Sequence, residues 1–150
     1  MTHRPFTGQT VTCHLNQFQN AIYVLGADSS SLSDVYVFNG ADKTWSKQTT
    51  TTDGFDPSSF TAILDHDTNV FYAMSKGHMY SLNMDEIIVA TSDAIAWNDV
   101  GTPSFSVDGY DPVMGLAQNH IHFIGAPGLE AGNADIFVIH CTFCFALLQV

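Results

Sequence analysis

The sequence predicts an all-β fold of about three similar four-stranded units, because a strand-like segment recurs at a nearly constant interval. The segments that begin at Asn20, Asn69 and Asn119 each continue as a short apolar run, and they lie 49 and 50 residues apart. Other landmarks recur in the same order, namely Trp45 with Trp97, residues 34–38 with residues 135–139, and residues 54–57 with residues 109–112. A period of about 40 to 50 residues made of short strands is typical of propeller blades, which bury their sheet faces against neighbouring blades.

The number of units predicts that the ring is open. The 150 residues hold three units at this period, whereas propeller rings close with about four to eight blades. We therefore expect a single partial propeller over residues 1–150. Three explanations are compatible with this count: the chain is a piece of a longer protein, three-bladed units pair through their open ends, or the molecule is an arc with two uncovered faces.

The first blade is predicted over about residues 10–48. Apolar runs separated by turn residues place its strands near 10–15, 20–25, 34–38 and 43–48. The alternation of apolar and polar residues in the third strand is incomplete. This is expected for a blade, because both faces of its sheet are covered.

The second blade is predicted over about residues 55–100. Its strands are expected near 60–64, 69–74, 78–83 and 94–100. Residues 84–93 form an insertion between the third and fourth strands, and residues 85–90 are expected to wind into a single helical turn with Asp85 near its start.

The third blade is predicted over about residues 110–150. Strands are expected at 113–117, 120–124 and 135–139, with a long connection at 125–134. A fourth strand with a tryptophan should follow His140, but residues 141–150 contain no tryptophan and no turn signal. Either this segment is an irregular buried strand, or the native sequence was truncated or replaced there.

Composition excludes some classes of partner. Apolar residues make up 45% of the chain and charged residues 13%, which is typical of a soluble globular protein. The net charge of -11 repels phosphate backbones and anionic lipids, so we expect neither a nucleic acid nor a membrane as partner. The amino end lacks the apolar stretch of a signal peptide. We therefore expect a cytoplasmic protein, or a secreted one if a preceding part is missing.

The order of motifs within each unit resembles the kelch repeat and the propeller domain of galactose-oxidase-like proteins. An apolar strand is followed by a glycine and a small residue, an aromatic residue in the next strand, and a tryptophan in the strand after that. The matching residues are Gly26-Ala27, Tyr36 and Trp45, then Tyr80 and Trp97, then Gly125-Ala126 and Phe137. The amino-acid sequence is also similar to that of kelch-like propellers of fungi. The resemblance implies a partial kelch-like β-propeller and says little about activity.

Three groups of residues are candidates for metal or acid–base chemistry. Cys141 and Cys144 lie next to His140, and Cys13-His14 could complete a tetrahedral set, but the pair belongs to an apolar segment, where we expect buried thiols. Asp65-His66-Asp67 fills a hairpin turn, where such residues bond their own backbone. His120 and His122 share one face of a strand and have no third ligand nearby in sequence.

The resemblance to galactose oxidase implies a copper site with a cysteine crosslinked to a tyrosine, a further tyrosine and histidine ligands. That set cannot be placed on this sequence residue by residue. Tyr23, Tyr36, Tyr72 and Tyr80 occupy repeated strand positions and are better explained as core. We therefore predict no catalytic residue, no metal and no cofactor.

The connections at the rim of the blades are the predicted binding surface. Residues 26–33, 75–77 and 125–134 are equivalent connections and should lie on one rim. Phe55-Asp56-Pro57 and Tyr110-Asp111-Pro112 occupy another equivalent connection, and they either stack on a sugar or peptide or pack between blades. The candidate binding residues are Ser29, Ser31, Phe55, Asp56, Tyr110, Asp111, Glu130 and Asn133.

These observations favour a non-catalytic binding or scaffold protein with a protein or carbohydrate ligand at the rim. The alternative is a part of a kelch-like oxidase or glycan-active enzyme whose active site lies in missing blades, and a third hypothesis is an incomplete chain without activity of its own. Because the outer faces of the first and third blades have no predicted neighbour, self-association through the open ends is expected.

Overall fold

Every regular element of the computed structural model is a β-strand in the part of the chain that it describes, residues 3–6, 11–118 and 120–138. Twelve strands form three sheets, and no described residue is helical. The prediction of an all-β fold with about three sheets and an open ring is confirmed.

The first sheet contains four antiparallel strands in chain order. They are β1 (Thr12–Asn16), β2 (Ala21–Leu25), β3 (Val35–Asn39) and β4 (Thr44–Gln48). The β1–β2 and β3–β4 turns are closed by side chains at the end of the preceding strand. Asn16 Oδ1 accepts the backbone N–H of Phe18 and Gln19, and Asn39 Oδ1 accepts those of Ala41 and Asp42.

The second sheet contains the four predicted antiparallel strands and one more. The strands are β6 (Thr61–Asp65), β7 (Val70–Ser75), β8 (His78–Asn83) and β9 (Ile95–Gly101), with β5 (Thr50–Thr52) parallel to β9 at the outer edge. The sequence did not predict β5. It follows β4 directly and pairs with β9 of the next sheet. Thr50 Oγ1 donates at 2.9 Å to the carbonyl oxygen of Ser33, which lies in the β2–β3 connection of the first sheet.

The third sheet contains β10 (Val113–Ala117), β11 (His120–Ile124) and β12 (Ala134–Val138), all antiparallel. The predicted fourth strand, the Cys141 and Cys144 pair, and Asn119 lie outside the described residues. The bounds of the described strands agree with the predicted ones within about two residues.

The predicted helical turn at residues 85–90 is wrong. Asp85 has a φ of 48°, and its backbone N–H donates to Asn83 Oδ1 at 2.9 Å, which makes a tight turn instead of a helix. The rest of this connection is bound to β4 by the buried Gln48, whose side chain accepts the N–H of Thr91 at 2.9 Å and donates to the carbonyl oxygen of Asp93 at 2.8 Å.

The three sheets follow one another in chain order, and their first strands lie side by side. Strand β6 contacts both β1 and β10, so the first strands of the three sheets are neighbours. One apolar core lies between the first and second sheets and another between the second and third. The arrangement is propeller-like, and the sheets form no closed ring among the described residues.

Asn69 joins the first two sheets through a buried hydrogen-bond network. Its Oδ1 accepts Asn16 Nδ2 at 2.8 Å, and its Nδ2 lies 2.7 Å from the carbonyl oxygen of Asp85 and 2.8 Å from the hydroxyl of Tyr23. Asn69 and Asn20 both have positive φ, 57° and 51°, immediately before the second strand of their sheets. The predicted equivalence of these two residues is confirmed.

A phenylalanine that precedes each sheet is a repeated core residue. Phe6, Phe55 and Phe105 lie 49 and 50 residues apart, the interval that separates the asparagines. The Phe6 ring centroid lies 5.2 Å from that of Tyr36 and 5.4 Å from that of Trp45. The equal spacing of these phenylalanines is a sequence signal for a repeated core position, and it was not among the predicted landmarks.

Candidate functional site

A cleft of about 390 Å³ opens between the second and third sheets, on the rim where the second and third strands of each sheet are connected. It is lined by the turn between β7 and β8 and by the two connections that precede β6 and β10. Its volume lies within the range of about 300 to 1,000 Å³ that is typical of ligand sites. The side chains that define its chemistry are Phe60, Lys76, Asp108, Tyr110 and Asp111.

A two-residue turn presents Lys76 at one side of the cleft. Lys76 and Gly77 have φ values of 51° and 79°, which places both central residues of the turn in the left-handed region. A Cβ atom on Gly77 would lie 2.9 Å from Val107 Cγ2. Glycine therefore allows the turn to approach the opposite wall of the cleft.

An ion pair holds Lys76 in place. Its Nζ lies 2.9 Å from Asp56 Oδ2, while Asp56 Oδ1 accepts the hydroxyl and the backbone N–H of Ser58 at 2.6 and 2.9 Å. The bond from the Ser58 hydroxyl and that from Lys76 lower the pKa of Asp56 to about 2. Asp56 is therefore an anion at neutral pH, and it orients the lysine without lining the cleft itself.

Tyr110 forms part of the opposite wall and is fixed at its hydroxyl. The hydroxyl donates to the carbonyl oxygen of Ile124 at 2.7 Å and lies 3.4 Å from the backbone nitrogen of Val113. The ring meets that of Phe105 edge-on, with centroids 6.4 Å apart. The neighbouring carboxylate of Asp111 is exposed.

The aromatic residue of the matching motif before the second sheet has a different environment, and by the 50-residue interval its counterpart is Phe105 and not Tyr110. Phe55 is only 4% exposed and stacks on Trp97, with ring centroids 4.2 Å apart and planes at 14°. Its role is packing, so this candidate binding residue is not accessible to a ligand. Of the two repeated motifs, only Tyr110-Asp111 contributes to the cleft.

The remaining rim candidates do not line the cleft. Ser29 is exposed and Ser31 is partly buried, in the connection between β2 and β3. Glu130 and Asn133 are exposed in the connection between β11 and β12, and the backbone N–H of Asn133 donates to the carbonyl oxygen of Glu130 at 3.1 Å. The structure thus brings together Tyr110 and Asp111 and leaves these four apart from them.

The histidine motifs serve turns and packing. Asp65 closes the β6–β7 turn by accepting the N–H of Asp67 and the hydroxyl of Thr68, and the ring of His66 stacks on that of Phe18 at 5.5 Å. His120 and His122 have ring centroids 6.5 Å apart on β11. Within residues 3–6, 11–118 and 120–138, no three histidine, cysteine or acidic side chains are grouped to hold a metal ion.

Comparisons of the chain with protein-family models, with curated proteins and with solved structures found no match. The kelch resemblance therefore depends on the repeated residues of this sequence alone. In the described part of the chain, there is no helix with the length and apolar character needed to span a bilayer.

Proposed function

We propose that this protein is a non-catalytic binding module and that the cleft between the second and third sheets holds a short carbohydrate. The observation that carries the proposal is the juxtaposition of an aromatic ring, an ion-paired lysine and two exposed carboxylates around one opening. Carboxylates accept hydrogen bonds from sugar hydroxyls, an ammonium donates to them, and an aromatic ring covers the apolar face of a sugar.

Charge supports an uncharged ligand over an anionic one. The chain has a net charge of -11, and Lys76 is already neutralised by Asp56. Asp108 and Asp111 are exposed at the opening. An anionic ligand would therefore meet a repulsive field at this rim, whereas a neutral sugar would find hydrogen-bond acceptors.

A glycan array probed with the labelled chain, followed by titration calorimetry with the best ligand, tests the proposal. We expect Asp111→Asn to weaken binding about tenfold, because a hydrogen bond to a charged acceptor contributes about 1.5 to 3 kcal/mol. Asp67→Asn is the matched control. Its carboxylate is also exposed, but it lies on the β6–β7 turn, at the other end of the strands.

Two results would contradict the proposal. If no glycan binds and a basic peptide binds instead in a manner sensitive to Asp111→Asn, the ligand is a protein segment. If binding is equally affected by Asp111→Asn and Asp67→Asn, the cleft is not the binding site.

A further inference from the structure

The two internal junctions of this molecule are built in the same way. We call the face of a sheet that points to the next sheet along the chain its forward face, and the face that points to the preceding sheet its backward face. At the first junction the forward residues Tyr23 and Leu25 pack on the backward residues Phe71 and Ala73. At the second junction, the forward residues Tyr72 and Met74 share a core with the backward residues Ile121 and Phe123. All eight side chains are buried.

The forward face of the third sheet has no such cover among the described residues. By the 50-residue interval, His122 and Ile124 occupy the positions of Tyr72 and Met74. Ile124 is 52% exposed, and its cross-strand partner Val113 is 56% exposed. Ile136, which pairs with His122 on β12, is also exposed. Exposed apolar side chains grouped on one sheet face are typical of interaction sites.

The backward face of the first sheet carries the residues of an internal junction. Phe6 packs on Tyr36 and Trp45, as Phe55 packs on Tyr80 and Trp97. The backward faces of the first and second sheets therefore carry the same arrangement of aromatic residues.

The side chains on these two backward faces differ in how deeply they are buried. Leu15 and Leu64 are equivalent, since each pairs with the second residue of the following strand. Leu64 is 8% exposed at the internal junction, whereas Leu15 is 64% exposed. Trp97 is fully buried and Trp45 only partly. Among the described residues, the backward face of the first sheet thus lacks the forward face of a neighbouring sheet.

We propose that two copies of this chain associate head to tail, with the forward face of the third sheet of each copy against the backward face of the first sheet of the other. The occupant of each open face is inferred from the internal junctions, which pair these two types of face twice within one chain. Two such contacts related by a two-fold axis close a ring of six sheets, a number within the range of about four to eight found in propellers.

Sedimentation equilibrium on the 150-residue chain tests this proposal. We expect a discrete species of twice the 16.4 kDa chain mass. Ile124→Lys and Leu15→Lys each place a charge in both contacts of the ring, so each should reduce the mass to that of one chain. Val89→Lys is the matched control, because Val89 is as exposed as Ile124 but lies in the β8–β9 connection. Far-ultraviolet circular dichroism checks that each variant folds, and Ile136→Lys replaces Ile124→Lys if that variant does not.

A mixture of the two variants gives a test that only the head-to-tail arrangement passes. An equimolar mixture of Ile124→Lys and Leu15→Lys chains forms mixed pairs in which one of the two junctions has no substituted residue, so part of the doubled mass should return. A wild-type monomer, a series of larger species, or a dimer that survives Leu15→Lys would each overturn the proposal. The last result would mean that the dimer contact does not include the backward face of the first sheet.

Discussion

At the scale of single residues, the side-chain amide of Asn69 links the first sheet to the second by hydrogen bonds. It is buried, it bonds to Asn16, Tyr23 and Asp85, and its backbone has the left-handed conformation that asparagine tolerates. Asn20 has the same backbone conformation in the first sheet, but its side chain is exposed. The repeat thus preserves the turn, and the tertiary structure adds a buried network at one copy of it.

We predict that Asn69→Ala lowers the free energy of unfolding by about 2 to 4 kcal/mol, since buried partners that lose a hydrogen bond cost about 1 to 3 kcal/mol each. Asn20→Ala is the matched control, because it imposes the same left-handed backbone on alanine without removing a buried network, and should cost about 1 to 2 kcal/mol. Urea denaturation of the three proteins gives the comparison. Equal losses for the two variants would show that the network does not stabilise the junction.

The environment of His14 is expected to make the stability of the protein depend on pH. It is partly buried on β1 with its ring edge-on to Phe71 at 5.0 Å, and its Nε2 has no hydrogen-bond partner among the described atoms. Burial lowers the pKa of His14 from its usual value of 6.5. The folded protein therefore takes up a proton at this site less readily than the unfolded chain does.

The sign of the pH dependence follows from this difference. As pH falls below about 6.5, the unfolded chain binds the proton first, so stability decreases between about pH 7 and pH 5. The pKa of Asp28 and of Asp56 is about 2 in the folded state, so these carboxylates contribute to pH dependence only at more acidic pH. We expect His14→Asn to lose less stability than the wild type between pH 7 and pH 5, because it removes the group whose pKa is lowered by burial. Thermal unfolding over this pH range measures the effect, and a wild-type profile for His14→Asn would contradict it.

At the scale of elements, the strands followed from local pattern and the connections did not. Apolar runs between turn residues placed eleven of the twelve strands, because runs of about four to eight residues bounded by turn signals are too short for most helices. Strand β5 was not predicted because its three threonines carry no apolar signal and its pairing with β9 joins two different units. The helical turn at residues 85–90 was wrong because Asn83 and Gln48 bond the backbone of that connection.

Trp45 and Trp97 lie on β4 and β9, the fourth antiparallel strands of the first and second sheets, as predicted. Their burial differs because only Trp97 lies between two sheets. We predict that Trp97→Ala costs about 3 to 5 kcal/mol, as truncation of a buried aromatic residue does. Trp45→Ala should cost clearly less when the chain is monomeric. Denaturation curves for both variants in the Leu15→Lys background, which excludes the proposed dimer, make the comparison, and a loss below about 1 kcal/mol for Trp97→Ala would show that this residue is not core.

At the scale of the whole molecule, the three sheets form two internal junctions, and among the described residues the apolar face at each end of the series has no neighbouring sheet. The candidate binding residues also separate at this scale. Tyr110 and Asp111 line the cleft between the second and third sheets, whereas Phe55 is enclosed by the core between the first and second. The two motifs have similar sequences but do not occupy equivalent positions, because the 50-residue interval aligns Phe55 with Phe105, which also packs in a core.

The sequence by itself determined the all-β class, the number of sheets, the strand bounds and the equivalence of Asn20 with Asn69. These properties depend on local residue patterns and on a repeat interval that can be read from a single sequence. The tertiary structure alone decided which aromatic residue of the repeated motifs is buried, that Lys76 lies across a cleft from Tyr110, and that β5 joins the second sheet. These last properties depend on contacts between residues far apart in the chain, such as Lys76 with Asp56 and Gly77 with Val107. Their energies come from packing and charge in three dimensions, which local pattern does not encode.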